Sequence, residues 1–236
     1  MRELTKLSDA ERRREEDPFT ESLAALIEPR LVAHRSRFEV DLNRDQAGAV
    51  YLEPEQSWGL DVWSRRPDAR VVERSRSLHR DFYQTLGAVL DDLVVRHGSF
   101  VVYDFHSYNH RRQGAGAPPA PVAENPQINL GTGTMDRSRW GPICDAFLAT
   151  VRAHRLHGAP IDARENVRFL GGYLPRWVHA NYPKAGCALA IEVKKTFMDE
   201  WTGERDSAAL EDLRAAIRAS LPAVTEALEL LGEESA

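Results

Sequence analysis

The chain is poor in sulfur and has no long apolar run. Its 236 residues include only two cysteines, Cys144 and Cys187. They lie far apart and form no Cys-x-x-Cys pair, which fits two reduced, buried thiols better than a disulfide framework. No stretch approaches the ~20 apolar residues needed to cross a bilayer. Met1 to Glu16 is crowded with charge and lacks an apolar h-region, so no secretory signal is expected and the cytoplasm is the expected location. Net charge is −5, so no global field draws the chain to nucleic acid or to an anionic membrane. The basic triplet Arg12-Arg13-Arg14 is offset by Glu11, Glu15, Glu16 and Asp17 and reads as a solvated helix face. What remains is 42% hydrophobic and 28% charged, enough apolar content to bury the core of a soluble globular domain.

Strand-like runs alternate with amphipathic helices along the chain. Ser8 and Glu11 form a capping-box pattern that predicts a short helix ending near Asp17-Pro18. A second helix is expected from Thr20, and a short strand at Leu31-Ala33. Leu78, Phe82, Leu86, Val89 and Leu93 recur at steps of three and four, which predicts a helix over 74–97 stopped by Gly98. Strands follow at 100–105, 127–130, 167–170 and 188–193. Further helices are marked by Trp140, Ile143, Phe147 and Val151, and by the apolar series from Leu210 to Leu228. Residues 111–126, rich in Pro, Gly and Ala, read as a loop. The alternation predicts one α/β domain over residues 1–236, with a mostly parallel mixed sheet flanked by helices on both faces.

Ligands bind outside the carboxyl ends of strands in open α/β sheets. Polar clusters stand at three expected strand ends: Asp104 to His110, Gly131 to Thr134, and Glu192 to Lys195. A fourth, Arg35 to Arg44, follows the strand expected at 31–33. If the strands are parallel, these clusters share one rim, a pattern suited to hydrolysis of an anionic substrate. Glu192 interrupts a run of apolar residues, and a carboxylate desolvated there suits a general acid or base. The alternative is a structural ion pair with Lys194, Lys195 or an arginine. His106 is the better metal-ligand candidate and His110 the weaker. Arg35, Arg37 and Arg44 can each grip a carboxylate bidentately. Gly131-Thr134 is either an anion-binding loop or a plain turn.

With these residues in view, the chain resembles the N-formylglutamate amidohydrolase family from about Ser8 to Gly203. The resemblance is carried by Glu15-Glu16-Asp17-Pro18, Phe38-Glu39-Val40-Asp41-Leu42-Asn43-Arg44, Asp104-Phe105-His106-Ser107, Gly171-Gly172-Tyr173 and Glu192 to Met198. It implies a zinc carboxypeptidase-like fold and zinc-dependent hydrolysis of an N-acyl amino acid. By the same resemblance, His106 binds zinc together with Asp17 or Glu16, Asp17 being preferred. Glu192 is the general base, while Asn43, Arg44 and Arg37 hold substrate carboxylates. Asp41 and Asp104 orient the arginine and His106. Such families open with an apolar strand ending in a zinc-binding histidine, yet no histidine precedes His34 here. Either translation starts farther upstream, or the chain is a metal-poor relative that binds an amino-acid-like ligand without turnover. His34 and His179 are possible substitute ligands.

Overall fold

A computed structural model describes residues 4–233. Six helices, α1 (Asp9–Glu15), α2 (Glu21–Ala24), α3 (Ala69–His97), α4 (Arg137–Arg152), α5 (Tyr173–Asn181) and α6 (Ser207–Glu233), surround a sheet. Its strands are β1 (Phe100–Tyr108), β2 (Ile128–Gly131), β5 (Ala163–Glu165) and β6 (Gly186–Lys194), in the order β1-β6-β2-β5. A separate two-stranded hairpin joins β3 (Arg155–Leu156) to β4 (Ala159–Pro160).

Apolar residues on both faces of β6 explain its central place. Cys187, Leu189, Ile191 and Val193 join Ile143, Phe147 and Val151 of α4 and Leu213, Ile217 and Val224 of α6 in one core. Ala188, on the other face, packs with Leu86 and Leu90 of α3 and Val178 of α5. Both cysteines are buried and unbridged. The Ser8–Glu11 capping box forms as expected. Helix α3 begins at Ala69, five residues before the start expected at 74, because the Asp68 side chain accepts from the Val71 N–H and caps it. No helix among the described residues is long and apolar enough to cross a membrane.

Several expectations need correction. Leu31–Ala33 and Val167–Leu170 are irregular, and the second helix is a single turn over Glu21–Ala24. Short apolar runs are compatible with strands, but these two find no sheet neighbour. The helix α5 was not expected; Pro175 sits in its first turn, where its missing N–H costs nothing. The sheet is mixed: β1/β6 and β2/β5 are parallel, whereas β2 and β6 are antiparallel. The end of β2 therefore points away from the rim that ends β1 and β6. Gly131–Thr134 is a turn rather than an anion loop, with the Thr132 and Gly133 N–H groups donating to Asn166 Oδ1 and the Leu170 carbonyl.

Strand β1 is an edge. Its even-numbered residues bond β6, as the Phe100 N–H to the Ala185 carbonyl and the Lys195 N–H to the Tyr108 carbonyl show. The backbone groups of Val101, Tyr103 and Phe105 point away from β6, on the side of a cavity of about 750 Å³ lined by Val101 to His106, by Ile27 to Arg37 and by α3. Amide exchange follows from that alternation. The N–H groups of Val101, Tyr103 and Phe105 should exchange at least ~100-fold faster than those of Val102, Asp104 and His106. Equal protection of the two sets, read by NMR, would contradict an open edge.

Candidate active site

The parallel register of β1 and β6 pairs His106 with Glu192, and the antiparallel register of β6 and β2 pairs Glu192 with Asn129. Matched positions on neighbouring strands send side chains to one face. His106, Glu192 and Asn129 thus form a row. The row below, Asp104, Ala190 and Gly131, is small except for the acid.

That small floor lets a loop lie directly on the sheet. A Cβ on Gly131 would come within 2.6 Å of the Gly171 backbone N, so no larger residue fits there. Gly171 itself adopts a left-handed φ of 111°. A Cβ on Gly172 would meet the Asn43 side chain at 2.0 Å. Glycine here allows Asn43 to reach His106, with Asn43 Nδ2 3.3 Å from His106 Nε2. Asn129 fixes the same loop from below, donating to the Phe169 carbonyl at 2.9 Å and accepting from the Arg168 N–H at 2.8 Å. Sequence reading missed Asn129, although a polar residue between Ile128 and Leu130 was a visible signal.

His106 is gripped from two sides. Its Nε2 lies 3.1 Å from Asp104 Oδ1 and its Nδ1 lies 3.5 Å from Asp17 Oδ2. Asp17 comes from the segment after α1 and is tied to β1, accepting from the Ser107 N–H at 2.7 Å and its hydroxyl at 3.1 Å. Burial opposes charge on both partners. For His106 the opposing Asp104 and Asp17 carboxylates prevail and lift its pKa well above 6.5. For Asp17 the hydrogen bond and charge of His106, with Arg37 and Lys195, prevail and hold it far below the usual carboxylate range.

Glu192 is partly exposed, not fully buried as its apolar neighbours suggested. Desolvation, only partly countered by the His106 charge, pushes its pKa up to about 7. The alternative ion pair does not form. Lys194 donates to the Asn125 carbonyl at 2.8 Å, and Lys195 to the Arg14 and Glu16 carbonyls and Asn109 Oδ1. Lys195, 1% exposed, thereby clamps the end of α1 and fixes the chain entering Asp17.

The arginines divide. Arg37 is already engaged, 3.1 Å from Asp41 Oδ2 and 3.8 Å from Asp17 Oδ2. Asp41 also accepts from the Tyr51 hydroxyl. Arg44 is half exposed, makes only a 3.9 Å contact with Asp41, and is free to meet a ligand. Arg35 pairs with Glu39.

The remaining candidates fall elsewhere. The Glu16 side chain accepts from Ser36 Oγ and is not paired with His106, so Asp17 is the acid brought to the histidine. His34 is exposed. His110 lies against Glu200, whose carboxylate takes the His110 and Arg111 N–H groups. His179 accepts from the Ala188 N–H at 3.0 Å and meets Thr134 Oγ1 at 3.2 Å.

As donors, the imidazole of His106 and the carboxylate of Asp17 suit zinc in kind. Asp104 Oδ2 is buried with no hydrogen-bond partner, an orphaned lone pair beside them. The number falls short, because no group of three His, Cys, Asp or Glu among the described residues is spaced to hold a metal ion.

The family model for N-formylglutamate amidohydrolase matches residues 1–198. The chain belongs to that family. Its structure is similar to that of an N-formylglutamate amidohydrolase from Ralstonia eutropha JMP134, with a TM-score of 0.67 at 17% identity, covering 97% of this chain and 86% of that one. A gene product of Agrobacterium tumefaciens is similar at a TM-score of 0.51 and 18% identity, over 80% of this chain and 69% of that one. At such identities the likeness is one of fold. No curated protein matches the chain. For this N-formylglutamate amidohydrolase family member, a hydrolase active site is the expected content of the rim where β1 and β6 end.

His179 supplies a pH test of the fold. Burial holds its pKa below 6.5, so between that lowered value and 6.5 the unfolded chain binds the extra proton. Its contribution is complete above about 6.5 and is lost as pH falls through the folded value. Wild type minus His179→Gln, measured by denaturant unfolding, should therefore show a stability gap that widens with rising pH. A gap independent of pH would contradict a neutral, buried His179.

Proposed function

We propose that this chain hydrolyses the amide bond of a small N-acyl amino acid, N-formylglutamate first among candidates, with zinc as cofactor. The pairing of Glu192 with His106 across β6 and β1 carries the reading, with Asn43 against His106 and Arg44 next to Asn43 in the chain. A carboxyl with a pKa near 7 is matched to moving a proton at neutral pH. Glu192 accepts a proton from the attacking water as its oxygen bonds to the amide carbon. It then delivers that proton to the departing amine, so free amine and acid leave. Arg44, the freer guanidinium, takes the substrate carboxylate, and Asn43 fixes the ligand against His106. Arg37 supports rather than binds, because Asp41 and Asp17 already occupy its fork. Bound zinc would be held by His106 and Asp17, with the orphaned Asp104 oxygen nearby, and would supply Lewis acidity.

Zinc-loaded protein should release formate and glutamate from N-formyl-L-glutamate, and a chelator should abolish this. Glu192→Gln should keep its zinc and lose at least ~100-fold in rate. Near-normal turnover by that variant removes Glu192 from its role. Binding of glutamate without zinc uptake or turnover would instead favour the metal-poor, ligand-binding relative.

A further inference from the structure

Trp58 occupies a position that neither the fold nor the core explains. It follows a short 3-10 helix, Pro54–Ser57, and holds a left-handed φ of 57°. A bulky residue in that region is strained, and such strain gathers at functional sites. Burial does not compensate, since the residue is 46% exposed. Its indole instead meets cations. The Arg37 guanidinium carbon lies 4.9 Å from the ring centroid, and that of Arg112 lies 5.9 Å away. Tyr51, which bonds Asp41, packs edge-on at 6.1 Å.

The cations are themselves anchored. Arg37 reaches Asp17 and Asp41, and its Nε is buried without a hydrogen-bond partner. The indole therefore lies against a guanidinium whose two terminal nitrogens are bonded, to the Glu15 carbonyl at 3.2 Å and to Asp41 Oδ2 at 3.1 Å, while its Nε has only the ring face beside it. Arg112 pairs with Glu15 at 3.0 Å, and the turn before it is held by Glu200. Three separate segments thus converge on one strained, exposed ring, one guanidinium away from the acid that grips His106.

We propose that Trp58 is a positioning residue for Arg37 and, with Arg112, forms the outer wall that orients an anionic substrate at this site. This inference rests on the hydrolytic reading above. An indole stacked on a guanidinium holds the planar fork in one orientation. The two guanidinium groups beside the ring are each answered by carboxylates, Asp17 and Asp41 for Arg37 and Glu15 for Arg112, so the wall presents a fixed aromatic and guanidinium surface to the substrate rather than a net positive field. Removing the ring takes one support from Arg37, and through it from the Asp17 and Asp41 anchors beside the site, which loosens substrate binding without touching the proton carried by Glu192.

Trp58→Gly and Trp58→Asn both tolerate the left-handed backbone and are the informative variants. Each should raise KM for N-formyl-L-glutamate about tenfold, on the scale of a lost cation–π contact, with kcat within about threefold. Melting temperature should hold or rise because strain is relieved. Trp58→Phe, which keeps a ring, should recover most of the KM. In a second arm, L-glutamate should change the tryptophan fluorescence of wild type and leave that of Trp58→Phe unchanged. An unaltered KM in the glycine variant, or a KM change that merely follows a lower melting temperature, overturns the proposal. If wild type hydrolyses nothing, the reading of the reaction fails, and the fluorescence arm decides Trp58 by itself: no Trp58-dependent change overturns it.

Discussion

The site depends on one imidazole held between two carboxylates. His106 closes β1 toward Asp104 within its own strand and toward Asp17 from a segment 89 residues earlier. Burying charge is costly, and a buried ion pair repays that cost only when its geometry and hydrogen bonds are good. Here Asp17 has both, because the Ser107 backbone and hydroxyl bond the oxygen that His106 does not face. The result is a cross-link between the N-terminal segment and the sheet made by charge rather than by apolar packing.

Everything nearby serves that cross-link or uses it. Lys195 fixes the carbonyls just before Asp17, and Arg37 balances its charge from outside. The small floor at Gly131 and Ala190 brings the Gly171-Gly172 loop down, and Gly172 admits Asn43. Glu192 then sits across the strand pair from an imidazolium, partly exposed yet desolvated enough to sit near pKa 7.

Much of this was legible in the sequence. The helix face from Leu78 to Leu93, the apolar run of β6 and the polar ends at His106 and Glu192 follow from periodicity and from polar residues breaking apolar runs. Of the two acids before Pro18, the structure brings Asp17 to His106 and turns Glu16 to Ser36. What sequence could not give was pairing. Nothing in Ile128–Gly131 says that β2 runs against β6, and nothing in Val167–Leu170 says that it lacks a neighbour. Arg37 and Arg44 looked alike until their distances to Asp41 separated a structural guanidinium from a free one. The family assignment covers residues 1–198, and among the described residues no three His, Cys, Asp or Glu are grouped to hold a metal ion.

The central claim, that Asp17 and His106 act as one buried charged unit, is open to a double-mutant cycle. Unfolding free energies of wild type, Asp17→Asn, His106→Gln and the double variant, all zinc-free, give the coupling directly. The account predicts a coupling of about 1–3 kcal/mol, each single change leaving its partner's charge buried and uncompensated. Additivity within about 0.3 kcal/mol would show that the two groups are neighbours only, and would contradict the account.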